Sequence, residues 1–160
     1  MNLATPKDMS NPSTVPTPVD TATVAAPSPG APDILVVEDE AVIRDLLALI
    51  LHNRGYQVRQ AAGGHEARRL IAAKRPTLVL SDLHMPEGDG WALLDYCRMQ
   101  VPGVPVILLS GSDFGKFPKI EAWAAGQVVK PFSPEQLLSE VERVLSRAPA
   151  RVLSQTGRAA

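Results

Sequence analysis

Short apolar runs alternate with segments of helical periodicity along the middle of the chain. The runs fall at residues 33–37, 56–60, 77–81, 104–109 and 127–129. The second run alternates apolar and polar residues, as an outer strand does, whereas the first is continuous and β-branched, as a strand buried on both faces is. Between and after the runs, the spacing of apolar residues predicts helices over 40–54, 63–74, 91–100, 118–125 and 134–146.

This alternation of strand and helix, repeated five times, indicates a parallel sheet with helices on both faces. Crossovers between parallel strands are almost always right-handed, which leaves few possible topologies. We therefore predict an α/β fold: a flavodoxin-like, doubly wound sheet of five parallel strands in the order 2-1-3-4-5.

Two helices carry more specific predictions. In the first, an apolar set is expected to face the sheet while Arg44 and Asp45 point outward; that set is Val42, Ile43, Leu46, Leu47, Leu49 and Ile50. The last helix has a strong start signal, because Ser133 precedes Pro134 and Gln136 stands where a capping box needs it.

Composition divides the chain into three parts. Residues 1–32 hold seven of the fifteen prolines, eight Ser or Thr and only three charged residues, which predicts a disordered Pro/Ala/Thr-rich arm. Residues 33–147 form the predicted domain, and residues 148–160 a flexible tail.

The net charge, the lengths of the apolar stretches and the cysteine count limit the classes of function that we expect. A net charge of −1 gives no reason to expect a nucleic acid or an anionic membrane as partner. No apolar stretch approaches the roughly 20 residues of a membrane span, and the N-terminus shows no secretory signal. The single Cys97 cannot form an internal disulfide, so we expect a cytoplasmic protein.

Polar residues that could bind a metal ion or a phosphoryl group follow four of the predicted strands. Glu38 and Asp39 follow the first strand, Asp82 the third, Ser110 the fourth and Lys130 the fifth. Parallel strands would deliver all of them to the carboxyl edge of the sheet, where open α/β sheets bind ligands. Carboxylates with phosphate and water suit Mg²⁺, and a hydroxyl with an ammonium suits phosphoryl oxygens.

Each residue alone also has an ordinary explanation. Acids such as Glu38 favour a helix N-terminus, a Ser before Gly is commonly a turn residue, and a Lys before Pro commonly lies on the surface. Their joint placement after successive strands is what indicates a phosphoryl and metal site.

Four motifs in order then identify a family. The segments VVEDE (36–40), LSDLHMPEGDGW (80–91), VILLSGS (106–112) and VVKPF (128–132) resemble the receiver domains of two-component response regulators, over about residues 33–147.

The resemblance implies roles for individual residues. Asp82 would accept a phosphoryl group, and Glu38, Asp39, Asp82 and the backbone carbonyl of His84 would hold Mg²⁺. Ser110 and Lys130 would contact the phosphoryl oxygens. It further implies a cis peptide between Lys130 and Pro131, and a sensor histidine kinase or histidine phosphotransferase as donor, with an unknown downstream protein partner. The domain would turn over no free substrate, so we expect a switch and not a metabolic enzyme.

One position departs from the family pattern. Gln127 stands where receiver domains usually carry an aromatic residue coupled to the switch hydroxyl, which leaves open a receiver-like binding module that works without phosphorylation. An aspartyl-phosphate phosphatase is less favoured, since His84 occupies the place of its second acid. A flavin-binding protein is less favoured still, because acids follow the first strand. The leading interpretation is a stand-alone receiver that signals by protein contact or phosphorelay.

Overall fold

The computed structural model describes residues 26–86, 90–111 and 118–148. Strands and helices alternate through these residues. They are β1 (Asp33–Val37), α1 (Ala41–Asn53), β2 (Gln57–Ala61), α2 (Gly64–Ala73), β3 (Leu78–Asp82), α3 (Gly90–Gln100), β4 (Val106–Ser110), α4 (Pro118–Trp123), β5 (Gly126–Val129) and α5 (Pro134–Arg147). No helix within the described part of the chain has the length and hydrophobicity that crossing a membrane requires. The predicted arm and tail lie mostly outside the described residues.

The strands form one parallel sheet in the order β2-β1-β3-β4-β5. The predicted fold class and strand order are therefore confirmed. Element boundaries differ from the predicted ones by one or two residues. The largest differences are at the start of β4 and at the end of α4, which each lie two residues from the predicted position.

Two hydrophobic cores lie on the two faces of the sheet. Alternate residues of a buried strand point to opposite faces, so Leu35 and Val37 enter one core while Ile34 and Val36 enter the other. The first core is closed by α2, α3 and α4, and the second by α1 and α5. Because β1, β3 and β4 are buried along their whole length, their carboxyl ends are held in fixed positions.

Helix α1 buries a narrower stripe than its sequence predicts. Leu47, Ala48 and Leu51 are buried, whereas Val42, Leu46 and Leu49 are 75%, 54% and 51% exposed. The prediction that these three exposed residues face the sheet is wrong. Apolar residues occupy more of the circumference of α1 than one flat sheet can cover, so part of the set remains in solvent.

Helix α5 begins as predicted. The Ser133 hydroxyl accepts a hydrogen bond from the Gln136 N–H, and the Gln136 side chain accepts one from the Ser133 N–H. This capping box satisfies backbone donors that the first turn leaves without helical partners.

An aromatic stack connects α3 to α4. The rings of Trp91 and Trp123 are nearly parallel, with centroids 5.1 Å apart. The Arg98 guanidinium lies 4.1 Å from the Trp123 ring centroid, a cation–π geometry. The stack fixes α4, a helix of only six residues, against its neighbour.

A buried ion-pair network closes the amino edge of the sheet. Asp33 is 1% exposed, and its carboxylate pairs with Arg59 at 3.0 Å and with Lys74 at 3.2 Å. Arg59 also donates to the carbonyls of Leu70 and Lys74, at the end of α2. The network thus places two positive charges beside a buried carboxylate and supplies donors to the last carbonyls of a helix.

We predict that Arg59→Met destabilises the domain by about 3 kcal/mol, because it leaves the buried Asp33 carboxylate with only the half-exposed Lys74 as a partner. Chemical denaturation measures the loss in the free energy of unfolding. The matched control is Arg54→Ala, which removes an exposed pair with Glu142 and is expected to cost less than about 1 kcal/mol. Equal losses for the two variants would contradict the assignment.

We also predict that Cys97 does not react with thiol reagents in the native protein. Burial raises the pKa of its thiol to about 12, so very little thiolate exists at neutral pH. Ellman's reagent should label the protein only after denaturant is added. Rapid labelling of the folded chain would refute the prediction.

Candidate functional site

The carboxyl edge of the sheet gathers the polar residues that follow the strands. Glu38 and Asp39 follow β1, Asp82 ends β3, Ser110 ends β4 and Lys130 follows β5. Backbone hydrogen bonds hold these ends side by side. The Leu83 N–H donates to the Leu109 carbonyl at 2.8 Å, and the Lys130 N–H to the Ser110 carbonyl at 2.7 Å.

Lys130 bridges two of the acids. Its Nζ lies 3.0 Å from Oε2 of Glu38 and 3.3 Å from Oδ1 of Asp82. Glu38 and Asp82 are only 1% and 7% exposed, whereas Asp39 is exposed. Pairs this close and this buried are screened little by salt.

Burial and charge act in opposite directions on these groups. Burial raises the pKa of Glu38, the Asp82 charge adds to that effect, and the hydrogen bond from Lys130 opposes it. Burial acts to lower the pKa of Lys130, but its hydrogen bond to Glu38 and the two negative charges outweigh burial and raise that pKa. The Lys130 side chain is therefore positively charged at neutral pH.

Ser110 offers a hydroxyl to the same edge. It is 1% exposed, and its Oγ has no hydrogen-bond partner among the described residues. A buried hydroxyl without a partner is costly. Ser110 can therefore donate to an anion that enters the site.

The carboxylates fit a magnesium ion. Oxygen atoms of Glu38, Asp39 and Asp82 lie within 4.8 Å of one another. Mg²⁺ binds oxygen ligands at about 2.1 Å, so opposite ligands of one ion are about 4.2 Å apart. A small closure would bring all three carboxylates onto one ion. His84 is exposed in the loop after β3, and the role predicted for its carbonyl stays a prediction.

Gly90 brings the start of α3 against the phospho-acceptor candidate. A side chain at this position would collide with the backbone carbonyl of Asp82, and the Gly90 N–H donates to the Leu83 carbonyl at 3.0 Å. Only glycine permits so close an approach of two backbones. The motif at 80–91 contains this glycine, but its contact partner could not be read from the sequence.

Arg44 is a site neighbour that the sequence prediction missed. It was expected to point outward from α1. It is instead half-buried, and its Nη1 donates to the carbonyl of Glu38 at 2.8 Å and lies 3.4 Å from that of Asp39. A long side chain in the first turn of a helix can fold back over the preceding loop, which a periodicity argument does not capture.

Gln127 is held by α5. Its backbone N–H donates to Oε1 of Glu140 at 3.2 Å. The Glu140 carboxylate in turn pairs with Arg143, which reaches the Ala125 carbonyl. Hydrogen bonds and an ion pair therefore connect β5 to α5 at the position where an aromatic residue was expected.

The peptide bond between Lys130 and Pro131 is cis, as the family resemblance implied. This bond directly follows the lysine that bridges Glu38 and Asp82.

Comparison with known proteins assigns this arrangement to a family. The profile of the response regulator receiver domain matches residues 34–142. The chain is 40% identical over 116 residues to the probable transcriptional regulator ycf27 of Porphyridium aerugineum, an alignment covering 71% of this chain and 48% of that protein. It is 32% identical over 118 residues to the phosphate regulon transcriptional regulatory protein PhoB of Pseudomonas aeruginosa, covering 71% and 52%. The chain thus spans about half the length of these relatives.

Solved structures of response regulators are similar to this chain. The receiver domain of NtrX from Brucella abortus is 37% identical with a TM-score of 0.68, over 72% of this chain and 99% of that one. The chemotaxis response regulator CheY4 of Vibrio cholerae is 33% identical with a TM-score of 0.67, over 71% and 98%. The chain belongs to the response regulator receiver domain family.

Proposed function

We propose that this domain accepts a phosphoryl group on Asp82 from a phosphohistidine of a donor protein. One observation carries the proposal: the Asp82 carboxylate lies 3.3 Å from the Lys130 ammonium. In the order of the strands, Asp82 stands between the two acids that follow β1 and the buried Ser110 hydroxyl, which has no partner among the described residues. In the transfer, an Asp82 oxygen forms a bond to phosphorus while the bond from phosphorus to the histidine nitrogen breaks.

Each neighbour contributes one interaction. Lys130 places a positive charge beside the oxygens of the transferring group, and Ser110 donates a hydrogen bond to one of them. Glu38 and Asp39, with Asp82, would hold Mg²⁺, which offsets negative charge on the phosphoryl group. These groups serve the domain's own phosphorylation and dephosphorylation, so the domain is a switch and not a turnover enzyme.

The signal would arise from Ser110. Once Asp82 carries a phosphoryl group, the Ser110 hydroxyl gains a hydrogen-bond acceptor, and this favours one position of Ser110 at the end of β4 over another. The domain would then signal through contact with another protein or pass the phosphoryl group onward.

The surface beside the site suits a protein donor. Val42, Leu46 and Leu49 are exposed on α1, which begins directly after the acids of β1. Exposed apolar groups clustered on one element are typical of protein interaction sites. A donor seated on α1 would bring its phosphohistidine near Asp82.

The first test is phosphorylation by acetyl phosphate. Wild-type protein should gain the mass of one phosphoryl group only when Mg²⁺ is present, and Asp82→Asn should gain none because the nucleophilic oxygen pair is lost. Intact mass spectrometry measures both. Asp95→Asn, an exposed acid on α3, is the matched control and should behave as wild type.

No mass gain in a folded wild-type protein that also fails to bind beryllofluoride would overturn the proposal. That result would favour the phosphorylation-independent binding module. Beryllofluoride binding without a mass gain would point to a phosphoryl group lost too fast to detect.

The second test separates the donor surface from the chemistry. Leu46→Ala should slow phosphotransfer from a phosphorylated histidine phosphotransferase by about fivefold, the loss of about 1 kcal/mol at an interface residue. The rate with acetyl phosphate should not change, since a small donor needs no docking surface. Met99→Ala removes an apolar side chain that is 62% exposed on α3 and should leave both rates intact. Equal slowing with both donors would argue against a docking role for α1.

A further inference from the structure

Arg44 contacts the backbone carbonyls of Glu38 and Asp39, the two acids that follow β1, and not their side chains. Its guanidinium donates to the Glu38 carbonyl at 2.8 Å and lies 3.4 Å from the Asp39 carbonyl. The side chain thus reaches five and six residues back along the chain, over the turn between β1 and α1. The backbone N–H of Arg44 donates to the Glu40 carbonyl at 2.9 Å, so both the backbone and the side chain of Arg44 contact this turn.

The turn has few other restraints among the described residues. The Glu38 N–H donates to the Ala61 carbonyl at 3.2 Å, which continues the pairing of β1 with β2. The Glu40 N–H lies 3.4 Å from Oε1 of Glu38, a long contact. Glu40, the N-cap of α1, makes no side-chain capping hydrogen bond. Among the described residues, the hydrogen bond from the Arg44 guanidinium to the Glu38 carbonyl is therefore the shortest contact to a backbone oxygen of the turn.

We infer that Arg44 is a positioning residue for the magnesium site, an inference that rests on the proposed function. Glu38 is buried and already fixed by Lys130, but the Asp39 side chain is exposed. Fixing the carbonyls of both residues sets the direction of the Cα–Cβ bonds from which their carboxylates extend. A ligand that is already oriented loses less conformational entropy when the ion binds.

The charge of Arg44 acts in the opposite direction. A guanidinium near the site repels a divalent cation, so on electrostatics alone its removal should tighten Mg²⁺ binding. On the positioning argument its removal should weaken binding. The two effects predict opposite signs for one measurement, and this makes the inference decidable.

The test is a Mg²⁺ titration without any phosphodonor, followed by amide chemical shifts at constant ionic strength. We expect Arg44→Ala to raise the dissociation constant about tenfold, the scale on which loss of outer-shell partners affects metal sites. Arg44→Lys keeps the charge, but its ammonium nitrogen ends one bond short of the Nη1 that contacts both carbonyls, so it should also weaken binding. Arg54→Ala, which removes an exposed arginine at the C-cap of α1, should bind Mg²⁺ as wild type does.

A second readout needs no metal. Amide hydrogen exchange in EDTA should become faster at Asp39 and Glu40 in Arg44→Ala, while the exchange of β4 amides stays unchanged. This pattern distinguishes a loosened turn from a destabilised fold, which would speed exchange throughout.

Three outcomes overturn the inference, and they are separable from failure of the proposed function. Unchanged or tighter Mg²⁺ binding by Arg44→Ala would refute the positioning role and leave phospho-acceptance standing. Weaker binding by Arg44→Ala but not by Arg44→Lys would assign the effect to packing of the aliphatic part of the side chain and not to the hydrogen bonds of Nη1. Absence of Mg²⁺ binding by the wild-type protein would remove the proposed metal site itself.

Discussion

The carboxyl edge of the sheet depends on the ammonium of Lys130. Three carboxylates within 4.8 Å of one another repel strongly, and two of them are buried, where repulsion is least screened. The lysine lies between those two buried acids. Three carboxylates and one ammonium leave two negative charges, which is the charge that one divalent cation neutralises. Lys130, which follows β5, therefore offsets negative charge that the ends of β1 and β3 bring together.

Most of the fold could be predicted because the sheet is buried on both faces. A strand such as β3 begins with an apolar run, and the polar residues at its end mark the carboxyl edge of the sheet. For this reason Asp82 and Ser110 could be assigned to one edge before any coordinates were considered. The start of α5 was equally predictable, because the capping box at Ser133 is a local interaction between residues three apart.

What could not be predicted depends on distances across the fold. Helix α1 carries more apolar residues than its contact with the sheet can cover, and periodicity alone does not say which of them stay in solvent. The reach of Arg44 over the preceding turn depends on a rotamer, and the contact of Gly90 with Asp82 on two segments meeting in space. The hydrogen-bonded connection of β5 to α5 through Glu140 likewise has no local sequence signature.

The stacked indoles of Trp91 and Trp123 have an experimental consequence. The chain contains two tryptophans, and both belong to this one contact between α3 and α4. The tryptophan fluorescence of the protein therefore comes from a single region of the domain, and at 5.1 Å the two indoles are close enough to couple electronically. Trp91 directly follows Gly90, whose backbone abuts Asp82. Tryptophan fluorescence consequently reports on the surroundings of Asp82.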